Sequence, residues 1–123
     1  MNTYVGDAVL LLEDQPLIAL DVEELLQEAG FSNISTYSSC AAAKEWLQTH
    51  KPTLAVIESR LTDGLSDEIA CLLAKQGTRF VVHSADTDKA GRYEGLSARC
   101  TWVEKPCDPA EFLNVVKACL ASS

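Results

Sequence analysis

The chain has no apolar run approaching the roughly 20 residues that a membrane-spanning helix needs, and its amino terminus lacks the basic-then-apolar layout of a secretory leader. A cytoplasmic protein without a membrane role is therefore expected. The five cysteines (Cys40, Cys71, Cys100, Cys107, Cys119) are an odd count without Cys-x-x-Cys spacing, and neither His50 nor His83 stands at ligand distance from one of them. Free thiols in a reducing compartment follow, and a zinc site is disfavoured. Basic residues are scarce: ten Lys and Arg face eighteen Asp and Glu, a net charge of −8. Nucleic-acid phosphates require a basic patch, so the balance argues against direct nucleic-acid binding and favours protein partners or a divalent cation. Repeats and low-complexity linkers are also missing. One domain over residues 1–123, with a core at about 7–120, is the expected organisation.

What is present is an alternation. Apolar runs at 8–12, 34–37, 54–57, 80–83 and 100–103 read as strands, and each is followed by a helical pattern. After the first run, Gln15-Pro16 starts a helix with Ile18, Val22, Leu25 and Ala29 on its buried face, and Gly30 ends it. Ser38 or Ser39 caps a second helix, with Ala43, Trp46 and Leu47 turned inward. Ser66 caps a third that buries Leu65, Ile69, Leu72 and Leu73 and stops at Gly77. Residues 85–98 carry the weakest pattern, because Gly91 and Gly95 each cost roughly 1 kcal/mol inside a helix. Asp108-Pro109-Ala110-Glu111 is the clearest helix start in the chain, and the helix it opens buries Phe112, Val116, Cys119 and Leu120. Five strand-then-helix units give an α/β fold, a three-layer doubly wound five-stranded parallel sheet.

Parallel strands place their carboxyl ends on one edge of the sheet, where ligands bind in such folds. Glu13 and Asp14 follow the first strand, Glu58 the third, Ser84 the fourth and Lys105 the fifth. Three carboxylates drawn together resist joint ionisation unless a cation joins them, and a hard oxygen-ligated cation such as magnesium suits such a set. Lys105 adds a fixed positive charge and Ser84 a hydroxyl. These groups are what a phosphoryl group needs around it.

On those residues the chain resembles the receiver domains of bacterial two-component response regulators, of the CheY-like, flavodoxin-like fold. The resemblance rests on Glu13-Asp14, Glu58 followed by Asp63-Gly64, Ser84, Trp102 and Lys105-Pro106, in matching order and spacing over almost the whole chain. It implies strand order 2-1-3-4-5, and magnesium held by Glu13, Asp14, Glu58 and the Arg60 main-chain carbonyl. It further implies a site in which Ser84 contacts phosphoryl oxygens, Lys105 pairs with the charge, Trp102 is the switch aromatic and the Lys105-Pro106 bond is cis. Thr62 stands where the family usually has proline.

The phosphoacceptor of such receivers is an aspartate, and here Glu58 occupies its place. The extra methylene moves the carboxylate about one bond length into the site, a displacement worth on the order of a hundredfold in an in-line reaction. Magnesium binding is weakened by the same change. The expected function is therefore a non-enzymatic phosphorelay receiver that signals through protein contacts, independent of phosphorylation or mimicking it. The alternative is a phosphorylation-competent single-domain receiver. A flavodoxin-like flavin-binding protein is more remote, because acidic Glu13-Asp14 stands where a phosphate loop would. The resemblance implies a sensor histidine kinase or phosphotransfer protein and a downstream protein as partners. A homodimer through the fourth helical segment, fifth strand and last helix is a further expectation. On the residues alone, Trp102 also reads as a core or interface aromatic, Ser84 as a loop cap, Lys105 as an exposed lysine, Cys107 as an inert thiol and His83 as a ring packed under a helix.

Overall fold

The structure, a computed structural model, describes residues 7–85 and 100–121. Most of the weak segment, residues 86–98, lies outside the described residues. The apolar runs become strands: β1 (Ala8–Leu12), β2 (Asn33–Tyr37), β3 (Leu54–Ile57), β6 (Arg79–Ser84) and β7 (Cys100–Glu104), in one parallel sheet ordered β2-β1-β3-β6-β7. Counted within the sheet, that order is the expected 2-1-3-4-5. Between β3 and the third helix, Arg60–Leu61 (β4) and Gly64–Leu65 (β5) pair as a small antiparallel hairpin that the apolar pattern does not announce. Its turn rests on Gly64, whose φ of 128° is open to a residue without a Cβ.

Helices α1 (Pro16–Glu28), α2 (Cys40–Leu47), α3 (Asp67–Gln76) and α4 (Pro109–Ala121) complete the layers. Side chains alternate across each strand. Val9, Leu11, Val56, Val81 and Val103 therefore pack under α1 and α4, while Leu10, Leu12, Ala55, Ile57, Phe80 and Val82 pack under α2 and α3. Leu54–Ile57 is buried on both faces, which is why that run is continuous rather than alternating. Arg79 fastens α4 to the sheet by donating from Nη1 to the carbonyls of Cys119 and Leu120, at 3.2 and 3.3 Å.

Local signals mostly act as expected. Pro16 opens α1, Ser39 caps α2 by accepting from the Ala42 N–H at 3.2 Å, and Asp108 accepts from the Ala110 N–H at 3.1 Å. Three details differ. The fully buried residues of α1 are Ala19, Val22 and Leu26, so its inward face is turned from the expected one and leaves Ile18 and Leu25 half-buried. Leu65 is 46% exposed, because the hairpin carries it away from the core. Ser66 stands at the N-cap of α3 without a side-chain capping bond; its hydroxyl donates instead to the Glu58 carbonyl at 2.8 Å, tying the start of α3 to the end of β3.

Candidate functional site

Strand register assembles the carboxyl edge. Leu12 is paired with Ile57, and the Glu58 N–H donates to the Leu12 carbonyl at 2.9 Å, so Glu13 and Glu58 emerge side by side. Ser84 is paired with Glu104, and the Lys105 N–H donates to the Ser84 carbonyl at 3.0 Å. The Lys105-Pro106 bond is cis, as expected. From that position the Lys105 ammonium reaches back across the sheet edge and bridges Glu13 Oε1 at 2.5 Å and Glu58 Oε1 at 2.7 Å. The three side chains are only 10%, 2% and 11% exposed, so this is a nearly buried ion triad.

The other carboxylate oxygen of Glu58 is also engaged. Oε2 accepts from the Ser59 N–H at 2.6 Å and from the Ser59 hydroxyl at 3.1 Å. Ser59 Oγ in turn lies 2.7 Å from Ser84 Oγ, so the Ser84 hydroxyl is joined to the carboxylate through Ser59. Ser59 is fully buried, and its place follows from the β3–β6 register, in which Ile57 faces Val82 and the chain two residues on brings Ser59 to Ser84. Sequence reading missed this residue because a serine just past a strand is among the commonest of polar punctuations. The available signal was the pairing arithmetic between two strand ends.

Burial and charge pull the titratable groups in opposite directions. Burial alone would push the Glu58 carboxyl up, but the hydrogen bonds from Lys105 and Ser84, the Lys105 charge and the Ser59 N–H together hold it below the ordinary glutamate value. For Glu13, burial prevails over Lys105 and over the Gln15 N–H that it accepts at 3.2 Å, and its carboxyl is raised. Burial works against the Lys105 charge, yet Glu13 and Glu58 more than offset it and raise the ammonium above its ordinary value. Glu58 is therefore the firmly ionised member of the pair.

Asp14, Glu58 and Arg60 line one open cavity of about 510 Å³ with Ser59 and Ser84. Its carboxylates are hard oxygen donors of the kind magnesium takes, so the residues fit that ion in donor type. Lys105 competes for two of the three acids, and among the described residues no group of three or more His, Cys, Asp and Glu converges as a metal cage. Trp102 lies on β7 opposite Val82, half-buried against the α2 and α3 core. His83 faces the other layer, its ring centroid 5.2 Å from that of Phe112, and is packed under α4 as expected. The Cys107 thiol is pushed up by burial and by Glu111 and Asp108, which keeps it protonated and inert. Cys40, Cys71, Cys107 and Cys119 are free thiols.

This is the architecture of a doubly wound α/β domain with its acidic edge at the strand ends. More narrowly, it is the fold of CheY-like receiver domains. The chain is similar to a CheY-like response regulator receiver domain protein from Methanospirillum hungatei, with a TM-score of 0.81 and 17% identity, covering 93% of each chain. It is also similar to SdrG from Sphingomonas melonis, with a TM-score of 0.76 and 24% identity over 94% of this chain and 97% of that one. A third similar structure, the response regulator protein TrrA from Thermotoga maritima, was determined in complex with Mg2+-BeF; the TM-score is 0.78 and the identity 21%, over 92% of this chain and 98% of that one. In sequence, the chain is 29% identical over 86 residues to the transcriptional regulatory protein PdtaR of Mycobacterium tuberculosis, a match of 68% of this chain that spans 42% of that protein's length. No family model matches the chain.

Proposed function

We propose that the chain is a receiver domain of a two-component response regulator that signals through protein contacts, with Glu58 as a permanent negative charge in place of a phosphoryl group. The observation that carries this reading is the full engagement of the Glu58 carboxylate, by Lys105 on one oxygen and by Ser59 on the other, with Ser84 bonded to that Ser59 hydroxyl. In a phosphorylated receiver the hydroxyl and the ammonium are drawn in by the new phosphoryl charge; here the longer side chain already draws them in. Glu58 therefore supplies the charge, Lys105 neutralises it, Ser84 reads its position, and Trp102 transmits that position to the surface. When bound, magnesium would be held by Glu13, Asp14, Glu58 and the Arg60 carbonyl, and would neutralise negative charge at that edge. A sensor kinase or phosphotransfer protein and a downstream protein are the partners that such a role requires. The part of the expected dimer face in residues 86–98 lies outside the described residues.

The test is to incubate the protein with magnesium and acetyl phosphate and weigh it intact. No stable phosphoryl adduct is expected. An adduct mapped to Glu58 would establish the phosphorylation-competent reading instead.

A further inference from the structure

On the α1 and α4 side of the sheet, a cavity of about 690 Å³ opens between those two helices, beside the one at Glu58, with which it shares Gln15 and Ala85. Ligand pockets commonly enclose about 300–1,000 Å³ and combine apolar walls with a few polar groups. Here the apolar wall is Ile18, Val22, Leu25 and Phe112. His83 also lines it. That imidazole is only 9% exposed, has a ring contact with Phe112, and makes no hydrogen bond among the described residues. Its ring nitrogens are not sealed in the core, so what they meet is the cavity, where water or a ligand N–H can serve them. Burial and the Lys105 charge push its pKa down to about 4, so it is neutral and offers one lone pair as an acceptor.

The sign of the occupant follows from the rim. Asp21, Glu24 and Glu28 line the same cavity from exposed positions on α1, and none has an ion pair or hydrogen bond among the described residues. Their spacing puts them along one side of the helix over two turns, a row of about 10 Å at 1.5 Å per residue. Lys105 reaches the cavity too and its charge is felt at His83, but Glu13 and Glu58 pair with it and three carboxylates stand at the rim, so the balance there is negative. An anion is therefore repelled, and a neutral apolar molecule would leave both the row and His83 unserved.

We propose that this cavity binds a small organic cation, an ammonium or guanidinium group on an apolar body. The cation meets the Asp21, Glu24 and Glu28 row and donates an N–H towards His83, while the body packs on Val22, Leu25 and Phe112. The row is of fragment length, and that favours a free small molecule over an extended peptide.

An amide NMR titration of the full chain with phenethylammonium, set against phenethyl alcohol and hydrocinnamate, tests this. The ammonium is expected to saturate with shifts at Val22, Leu25, His83 and Phe112, at least about tenfold tighter than the alcohol, while the acid does not bind. Glu24→Gln with Glu28→Gln, both at exposed positions where folding is unaffected, should weaken it about fivefold or more. Equal binding of ammonium and alcohol, shifts confined to other surfaces, or unchanged affinity in the double variant overturns the proposal. Binding of an oligo-arginine peptide without binding of the free amine also overturns it, and makes the groove a protein-docking face.

Discussion

Ser59 Oγ and Ser84 Oγ lie 2.7 Å apart at the ends of adjacent strands, and the Ser59 hydroxyl also lies 3.1 Å from Glu58 Oε2. One buried hydroxyl thus links the Glu58 carboxylate to the Ser84 hydroxyl. Removing it leaves buried oxygens short of a partner, which costs about 1–3 kcal/mol. Ser59→Ala is expected to lose that much in urea unfolding and to move the Trp102 indole NMR signal, while Ser59→Thr, which keeps the hydroxyl, should retain most of both. A silent Ser59→Ala would show that Ser84 is held by Glu58 alone.

Lys105 is the sole cation seen bridging Glu13 and Glu58 among the described residues. Removing one member of a buried ionic set leaves uncompensated charge and costs about 3–5 kcal/mol. Lys105→Met should be destabilised by that order at neutral pH. It should also regain part of the loss when magnesium is added, because Glu13, Asp14 and Glu58 are then free to hold the ion. Thermal unfolding with and without magnesium chloride measures both. Wild type stabilised by magnesium as strongly as the variant would refute the competition between ion and ammonium.

His83 sets a distinct pH dependence. Unfolded, an imidazole titrates near 6.5, whereas in the fold it is held down to about 4 by burial and by Lys105. Between those values the unfolded chain binds more protons, so stability is fully present above about 6.5 and falls as the pH drops towards 4. The loss is at most about 3 kcal/mol from this group. Because carboxylates also titrate near the lower limit, the measurement is the difference between wild type and His83→Phe across that window. A flat difference would remove His83 from the account.

The outline of the sheet, and which residues stand at its carboxyl edge, were legible because they depend on local patterns. Continuous apolar runs mark strands buried on both faces, and the polar residue that follows, Glu13 or Glu58, is by geometry at the carboxyl edge, with Lys105 two residues past the apolar run of the fifth strand. What was not legible depends on side-chain direction. Lys105 bridging two glutamates, Ser59 turned inward and Ser66 bonding the Glu58 carbonyl rather than capping α3 are choices among rotamers, settled by packing rather than by sequence spacing. The hairpin at 60–65 escaped for another reason, since two-residue strands have no period to detect. The turned face of α1 escaped because Ala19 is too small to weigh against Ile18 and Leu25, yet a small residue is what close approach to the sheet selects.

Asp63 shows a long-range cap. Its two carboxylate oxygens accept from the Cys40 and Ala41 N–H groups at 2.8 and 3.0 Å, at the first turn of α2, and these bonds hold its carboxyl below the ordinary aspartate value. A depressed carboxyl contributes stability above its unfolded value of 3.8 that is lost as the pH falls through the lower folded value. Asp63→Asn should lower the melting temperature at neutral pH and lose less than wild type on acidification. Equal melting curves for the two proteins would mean that the cap contributes nothing.

The decisive change is Glu58→Asp. Shortening the side chain withdraws the carboxylate by about 1.5 Å, one carbon–carbon bond. Lys105 is held from the other side by Glu13 at 2.5 Å, so it does not simply follow, and the bond to Glu58 Oε1 at 2.7 Å is lengthened or lost. The withdrawn carboxylate opens the space now filled by Glu58 beside Asp14, Ser59 and Ser84, in the cavity of about 510 Å³. A phosphoryl group placed there has the Ser84 hydroxyl and the Lys105 ammonium within the same edge. With magnesium and acetyl phosphate, Glu58→Asp should therefore gain the mass of one phosphoryl group under conditions in which wild type gains none, and Ser84→Ala in that background should slow the gain by roughly tenfold or more. If Glu58→Asp stays unmodified, the edge is built for the glutamate alone, and the remaining residues have no acceptor chemistry to recover.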